Sequence, residues 1–178
     1  VSGRGFLVAL ELGHRKCVVV GTSDDAKRRA EALSAHGAVV VRLLDRVDDA
    51  DIADAWLVVL ADRNPQLAAR LSAFCAMNRI LFCAVDQPGG SSFHHVAVAR
   101  AGVVSVGVGT DGRAPALARR LREELERVFQ SSGLAEFAER LASERESTPS
   151  AERKERQSRA VAGLRLTGKL ELPDPESE

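Results

Sequence analysis

"CVVVGTSDDAKRRAEAL", residues 17–33, runs from a β-branched apolar stretch through a glycine straight into a helix-forming stretch. Lys16 to Val20 predicts a strand. Asp24 to His36 predicts a helix, with Ala26, Ala30 and Leu33 on one side and Gly37 as a stop just past its end. A strand, a glycine and a helix start in succession gather unpaired backbone N–H groups around one turn. That is how a parallel α/β domain holds a phosphate group. The turn reads Gly21-Thr22-Ser23, where a Gly-x-Gly fingerprint needs a second glycine. Gly21 keeps the tight bend, and Ala26 is small enough for close helix–strand packing. Ser23 stands where a backbone should approach the ligand, so it crowds a phosphate or offers one hydroxyl in exchange. Asp24 and Asp25 are expected to cap the helix and suit its positive end. They also bring negative charge to the place a phosphate would occupy. Asp45, after the second predicted strand, is a candidate for ribose hydroxyls. The same residues are equally those of a plain helix cap on a nucleotide-free frame.

Outward from this turn the pattern repeats. Ala38 to Leu44, Ala55 to Ala61 ("AWLVVLA") and Ile80 to Val85 ("ILFCAV") are apolar throughout, and Pro65 to Asn78 has helical spacing at Leu67, Leu71 and Phe74. Strands without polar alternation, separated by helices, predict a mostly parallel sheet covered on both faces. Val103 to Val108 predicts one more strand. Pro115 then opens a helix to about Phe129, with a stripe of Leu117, Leu121, Leu125 and Val128. Trp56 is expected in the core. Asp45 to Asp54 has no room for an extra helix and strand. After about Ala142, "SERESTPSAERKERQSR" has almost no apolar residues and reads as a polar, flexible linker and tail. "LRLTGKLEL" alternates around Thr167-Gly168, as a small hairpin or an edge strand would.

Composition narrows the class. The 178 residues are 45% hydrophobic and 28% charged, with zero formal net charge. These values fit a globular α/β protein and give no global field for nucleic acid or a membrane surface. No apolar run is long enough to span a bilayer, and no signal segment is expected at the start. Cys17, Cys75 and Cys83 lie in apolar runs, so reduced buried thiols and a cytoplasmic setting are expected. Neighbouring His94 and His95 are expected in a polar loop rather than on one metal, although a pairing of Cys83 with His94 remains open. No metal site is predicted.

Two further stretches carry possible chemistry. Asp86 ends the fourth apolar strand, and a carboxylate there faces the ligand crevice of a parallel sheet. If partly buried it would have a raised pKa and could take a proton; otherwise it caps the following turn. "GTDGRAPALARRLRE", residues 109–123, combines a glycine-rich turn, a helix start and Arg113, Arg119, Arg120 and Arg122. Guanidinium forks there suit carboxylates, and i,i+4 pairing with Glu123 and Glu124 is the plainer role.

The order of these elements, with "LADRNPQLAARL", "ILFCAVDQP" and above all "APALARRLREELE", resembles the precorrin-2 dehydrogenase family, the amino-terminal module of siroheme synthases, over roughly residues 5–142. The resemblance implies a Rossmann-like domain (residues 5–112), a helical extension on the substrate and dimer side (113–142) and a tail (143–178). It implies NAD as cofactor, precorrin-2 as tetrapyrrole substrate, oxidation to sirohydrochlorin and a homodimer. Residue by residue, it makes Asp86 the acid–base group, Gly21 to Asp25 with Asp45 the cofactor side, and Thr110, Arg113, Arg119 and Arg120 the substrate side. The family's triple glycine is here Gly21-Thr22-Ser23, and its Asn-x-x-Asp is Cys83-Ala84-Val85-Asp86, which has lost the Asn. The alternative implied by those losses is a non-catalytic paralogue that keeps the fold for tetrapyrrole binding, regulation or assembly. A third reading is an interaction module docking through its tail strand.

Overall fold

The computed structural model describes residues 5–44, 46–87, 89–168 and 170–172. The chain divides into two compact units. One holds the residues up to Val98 and Gly107–Arg122, and the other holds Ala99–Val106 and the residues from Glu123 on. These boundaries differ from the expected breaks at 112 and 142.

The first unit is built on four parallel strands, β1 (Lys16–Val20), β2 (Val39–Leu43), β3 (Leu57–Leu60) and β4 (Leu81–Ala84), in the order β2-β1-β3-β4. Three helices alternate with them: α1 (Asp24–Ala35), α2 (Asp49–Ile52) and α3 (Pro65–Asn78). The period of two along each strand splits the core. Val18, Val20, Val58, Leu60, Phe82 and Ala84 pack with Ile52, Ala68, Leu71 and Cys75. Cys17, Val19, Leu57 and Val59 pack with Ala26, Ala30 and Leu33 of α1 on the other side. Both faces are therefore covered, which is why these strands carry no polar alternation. Each fully buried side chain such as Phe82 or Leu71 contributes about 1.5–3 kcal/mol by leaving water.

Local signals set the helix ends. Asn64 caps α3 by accepting from the Leu67 amide at 3.0 Å, and Pro65 fills the first turn. Between β2 and β3 the described residues hold only the one-turn α2 and no strand; the Asp51 side chain accepts from the Asp48 amide at 2.8 Å. Trp56 lies just before β3 and is only partly buried, with the Arg15 guanidinium 5.6 Å from its ring.

A two-stranded sheet joins β5 (Ala97–Ala101), which the sequence reading did not predict, to β6 (Val104–Val108). Gly102 turns between them at φ +52. Helix α4 (Pro115–Ser132) buries Ala118 and Phe129, while Leu117 and Val128 of the predicted stripe are exposed. In the second unit, Ala99, Ala101 and Phe129 pack with Leu125, Leu134 and Ala135.

The expected polar linker is corrected. Helix α5 (Leu134–Ser147) runs past Ala142, and α6 (Ser150–Val161) follows. Gln157 donates to the Leu141 carbonyl at 3.1 Å, Arg153 donates to the Thr148 carbonyl at 2.8 Å, and Arg159 pairs with Glu155 at 2.6 Å. Arg, Glu, Lys and Gln are good helix formers, so a stretch with no apolar face of its own can still be helical. Beyond α6, described residues 164–168 and 170–172 form no strand, so the predicted hairpin or edge strand is absent there; Lys169 lies outside the described residues. Among the described residues no helix is long and apolar enough to cross a membrane.

Candidate functional site

The four parallel strands end level with one another. Val20 is in register with both Leu43 and Leu60, and Leu60 with Ala84. The ladder continues one residue further through Gly21 N–H to Leu43 O, Ala61 N–H to Val20 O and Val85 N–H to Leu60 O. Three segments leave this carboxyl edge side by side: Gly21 onward, Ala61-Asp62, and Val85-Asp86. The chain runs from β1 to β2 on one side and returns to β3 on the other. The gap between the ends of β1 and β3 is thus the topological switch point, where ligands enter such sheets.

Gly21 opens that gap with φ +142, a conformation that only glycine adopts readily. A Cβ built on it would stand 2.8 Å from the Asp62 carboxylate. Asp62 turns back from β3 onto the turn. One of its oxygens accepts from the Thr22 amide at 2.6 Å and the Thr22 hydroxyl at 3.2 Å. The other accepts from the Ser23 hydroxyl and from the Ser23 amide at 3.4 Å. The Ser23 hydroxyl bond, then the Thr22 amide bond, hold the Asp62 carboxyl below the usual carboxylate range. Asp62 was missed from the sequence. The available signal was its position two residues past the end of β3, matching Asp86 two residues past β4.

The helix cap also differs from expectation. Ser23, not Asp24 or Asp25, caps α1, its hydroxyl oxygen accepting from the Ala26 amide at 3.3 Å. Asp25 instead accepts from Arg29 at 2.6 Å and Arg28 at 3.2 Å. Burial works against its charge, but the bonds and charges of Arg29 and Arg28 leave its carboxyl lowered. Asp24 is exposed in the first turn. Ala26 is fully buried, as close helix–strand packing requires. Asp45 lies outside the described residues.

Asp86 is exposed and left-handed at φ +54, and the next amide, on Gln87, donates to Ala84 O at 3.3 Å. The partial burial expected of it is therefore absent. Thr110 and Arg113 share a turn closed by the Arg113 amide to the Thr110 carbonyl at 2.9 Å, with Asp111 at φ +51 and Gly112 at φ +72. Arg119 and Arg120 are exposed on the first turns of α4. These four residues belong to the same compact unit as the Gly21 turn.

His94 and His95 precede β5, and His95 meets Phe93 edge-on at 5.4 Å. Cys17, Cys75 and Cys83 are free and buried, and burial raises each thiol, Cys75 to about 11. No cluster of three or more potential metal ligands occurs among the described residues.

Comparison with known proteins bears on this edge. A family model described as "Putative NAD(P)-binding" matches residues 41–97, from β2 to the start of β5. Siroheme synthase 2 of Pectobacterium atrosepticum is 32% identical over 155 residues, 75% of this chain and 34% of that protein. The siroheme synthase of Gluconacetobacter diazotrophicus is 32% identical over 164 residues, 79% of this chain and 35% of that protein. That of Gluconobacter oxydans is 30% identical over 154 residues, 72% and 32% of the two chains. The chain thus spans about a third of the length of the curated relatives it matches. Among solved structures, the precorrin-2 dehydrogenase SirC superposes with a TM-score of 0.69 at 18% identity, covering 88% of this chain and 89% of that one, a likeness of fold.

Proposed function

Since this chain belongs to the precorrin-2 dehydrogenase family, we propose that it oxidises precorrin-2 with NAD(P)+ as hydride acceptor. The observation that carries the reading is the Gly21 turn. It is a left-handed glycine at the end of β1, directly before α1, at the switch point of a parallel sheet.

The residues present fit a dinucleotide in outline. Gly21 takes a backbone conformation that only glycine adopts readily, and the Thr22 and Ser23 amides and hydroxyls converge on one anionic group, the Asp62 carboxylate, where a phosphate would be held. Gly21 to Asp25 would hold the pyrophosphate, with Asp45 toward the ribose. When bound, the nicotinamide supplies the site that receives a hydride. The remaining work falls to side chains of this chain. Asp86 leaves the same sheet edge and, as an exposed carboxylate, can accept the proton that the substrate loses. Thr110, Arg113, Arg119 and Arg120 stand on and before a helix start, where donors and cations suit the substrate's carboxylates. A homodimer is part of the same reading.

The test is Asp86→Asn, which keeps the shape of the side chain and its tolerance for a left-handed turn. Precorrin-2 oxidation should fall by about 10²–10⁴-fold, with NAD+ affinity and melting temperature unchanged. Turnover that survives while the variant melts earlier would make Asp86 a turn residue only.

A further inference from the structure

Asp62 is assigned no part in the reading above, yet it makes the closest contacts in the nucleotide turn. We infer that Asp62 is a built-in competitor for the ligand of this turn: its carboxylate occupies the donors that a pyrophosphate would use, so a nucleotide binds only by displacing it. The inference rests on the nucleotide reading of the Gly21 turn.

A phosphate turn offers backbone N–H groups at and just before the helix start. The Thr22 and Ser23 amides are two of those groups, and both are directed to Asp62, at 2.6 Å and 3.4 Å. The two side chains that stand in place of the second and third glycines of the family's turn add hydroxyls, and both hydroxyls also donate to Asp62. The substitutions that weaken the fingerprint are therefore the ones that fasten the carboxylate. Every contact is a charge-assisted bond to an anion, the strong kind.

Space gives the same answer. The missing Cβ of Gly21 does not leave an open cradle, because the Asp62 carboxylate lies 2.8–3.0 Å from where that Cβ would be. A pyrophosphate cannot enter there while the carboxylate stays, and two anions sharing these donors would repel each other. Asp25 is engaged with Arg28 and Arg29, which leaves Asp62 as the carboxylate bound in the turn. Displacement has a route. Asp62 is partly exposed on the short connection between β3 and α3, where a side-chain rotation carries its carboxylate outward without unpairing a strand.

The experiment is calorimetric titration of the full chain with NAD+ and, separately, with inorganic pyrophosphate, for wild type, Asp62→Ala and Asp62→Asn. Ala removes the competitor. Asn keeps its shape without its charge and serves if the Ala variant fails to fold. The inference expects Asp62→Ala to bind both ligands at least about tenfold more tightly than wild type, and Asp62→Asn at least about threefold. Equal NAD+ affinity in wild type and variants would overturn the competitor and leave the nucleotide reading intact. Tighter pyrophosphate binding with no NAD+ binding in any variant would keep the competitor and overturn the nucleotide reading. No binding of either ligand by any variant would overturn both.

Discussion

At the residue scale, Asp62 ties two strand ends together through one ionised side chain, and its effect depends on pH with a definite sign. Its carboxyl is held below the usual range, chiefly by the Ser23 hydroxyl and then the Thr22 amide. A carboxyl lowered by folding contributes stability that is fully present above its unfolded pKa, about 3.9. That contribution is lost as pH falls through the lowered folded value. Neutral and mildly acidic solutions should therefore leave the turn unchanged. In amide-resolved NMR spectra, the Thr22 and Ser23 signals should hold steady down to about pH 4 and titrate together below it. A midpoint at or above the ordinary aspartate value would show that the carboxylate does not rest on these amides in solution. Asp86 makes a contrast at the same sheet edge. It is exposed and left-handed in a turn, and its proposed role rests on its position.

At the element scale, the stretch after α5 separates helix formation from burial. Helix α6 buries none of its residues, yet it is held by the Gln157 bond to the Leu141 carbonyl and the Arg153 bond to the Thr148 carbonyl. Thr148, between α5 and α6, is buried and donates its hydroxyl to the Glu144 carbonyl. Past Val161 the described residues are exposed and carry no regular element. Cutting the chain after Val161 should therefore move the melting temperature by less than about 4 °C, since little buried area is lost. A drop of more than about 10 °C in a calorimetric scan would show that this tail belongs to a packed interface.

At the scale of the whole molecule, apolar surface remains to be covered. An open groove of about 770 Å³ in the second unit is lined by Val104, Val106, Phe129, Leu134 and Phe137. Exposed apolar surface of this kind marks association, in keeping with the proposed homodimer. Sedimentation equilibrium at micromolar concentration should give twice the 19.1 kDa chain mass. A mass of one chain across the whole concentration range would exclude the dimer.

Much of this protein was determined by local sequence. Runs such as Cys17–Val20, Leu57–Leu60 and Leu81–Ala84 are apolar on both faces, so they had to become parallel strands covered on both sides; Ala26, Ala30 and Leu33 had to face them. The helix starts at Asp24, Pro65 and Pro115 were equally legible, because caps and prolines act within a few residues. Helix α6 was not legible as a helix, since its polar composition gave no apolar period to read. Tertiary structure alone decided the state of the nucleotide turn. Thr22 and Ser23 are separated from Asp62 by about forty residues, and nothing local pairs them. Their contact exists because β1 and β3 are neighbours in exact register, and strand pairing brings together groups whose chemistry the chain keeps apart.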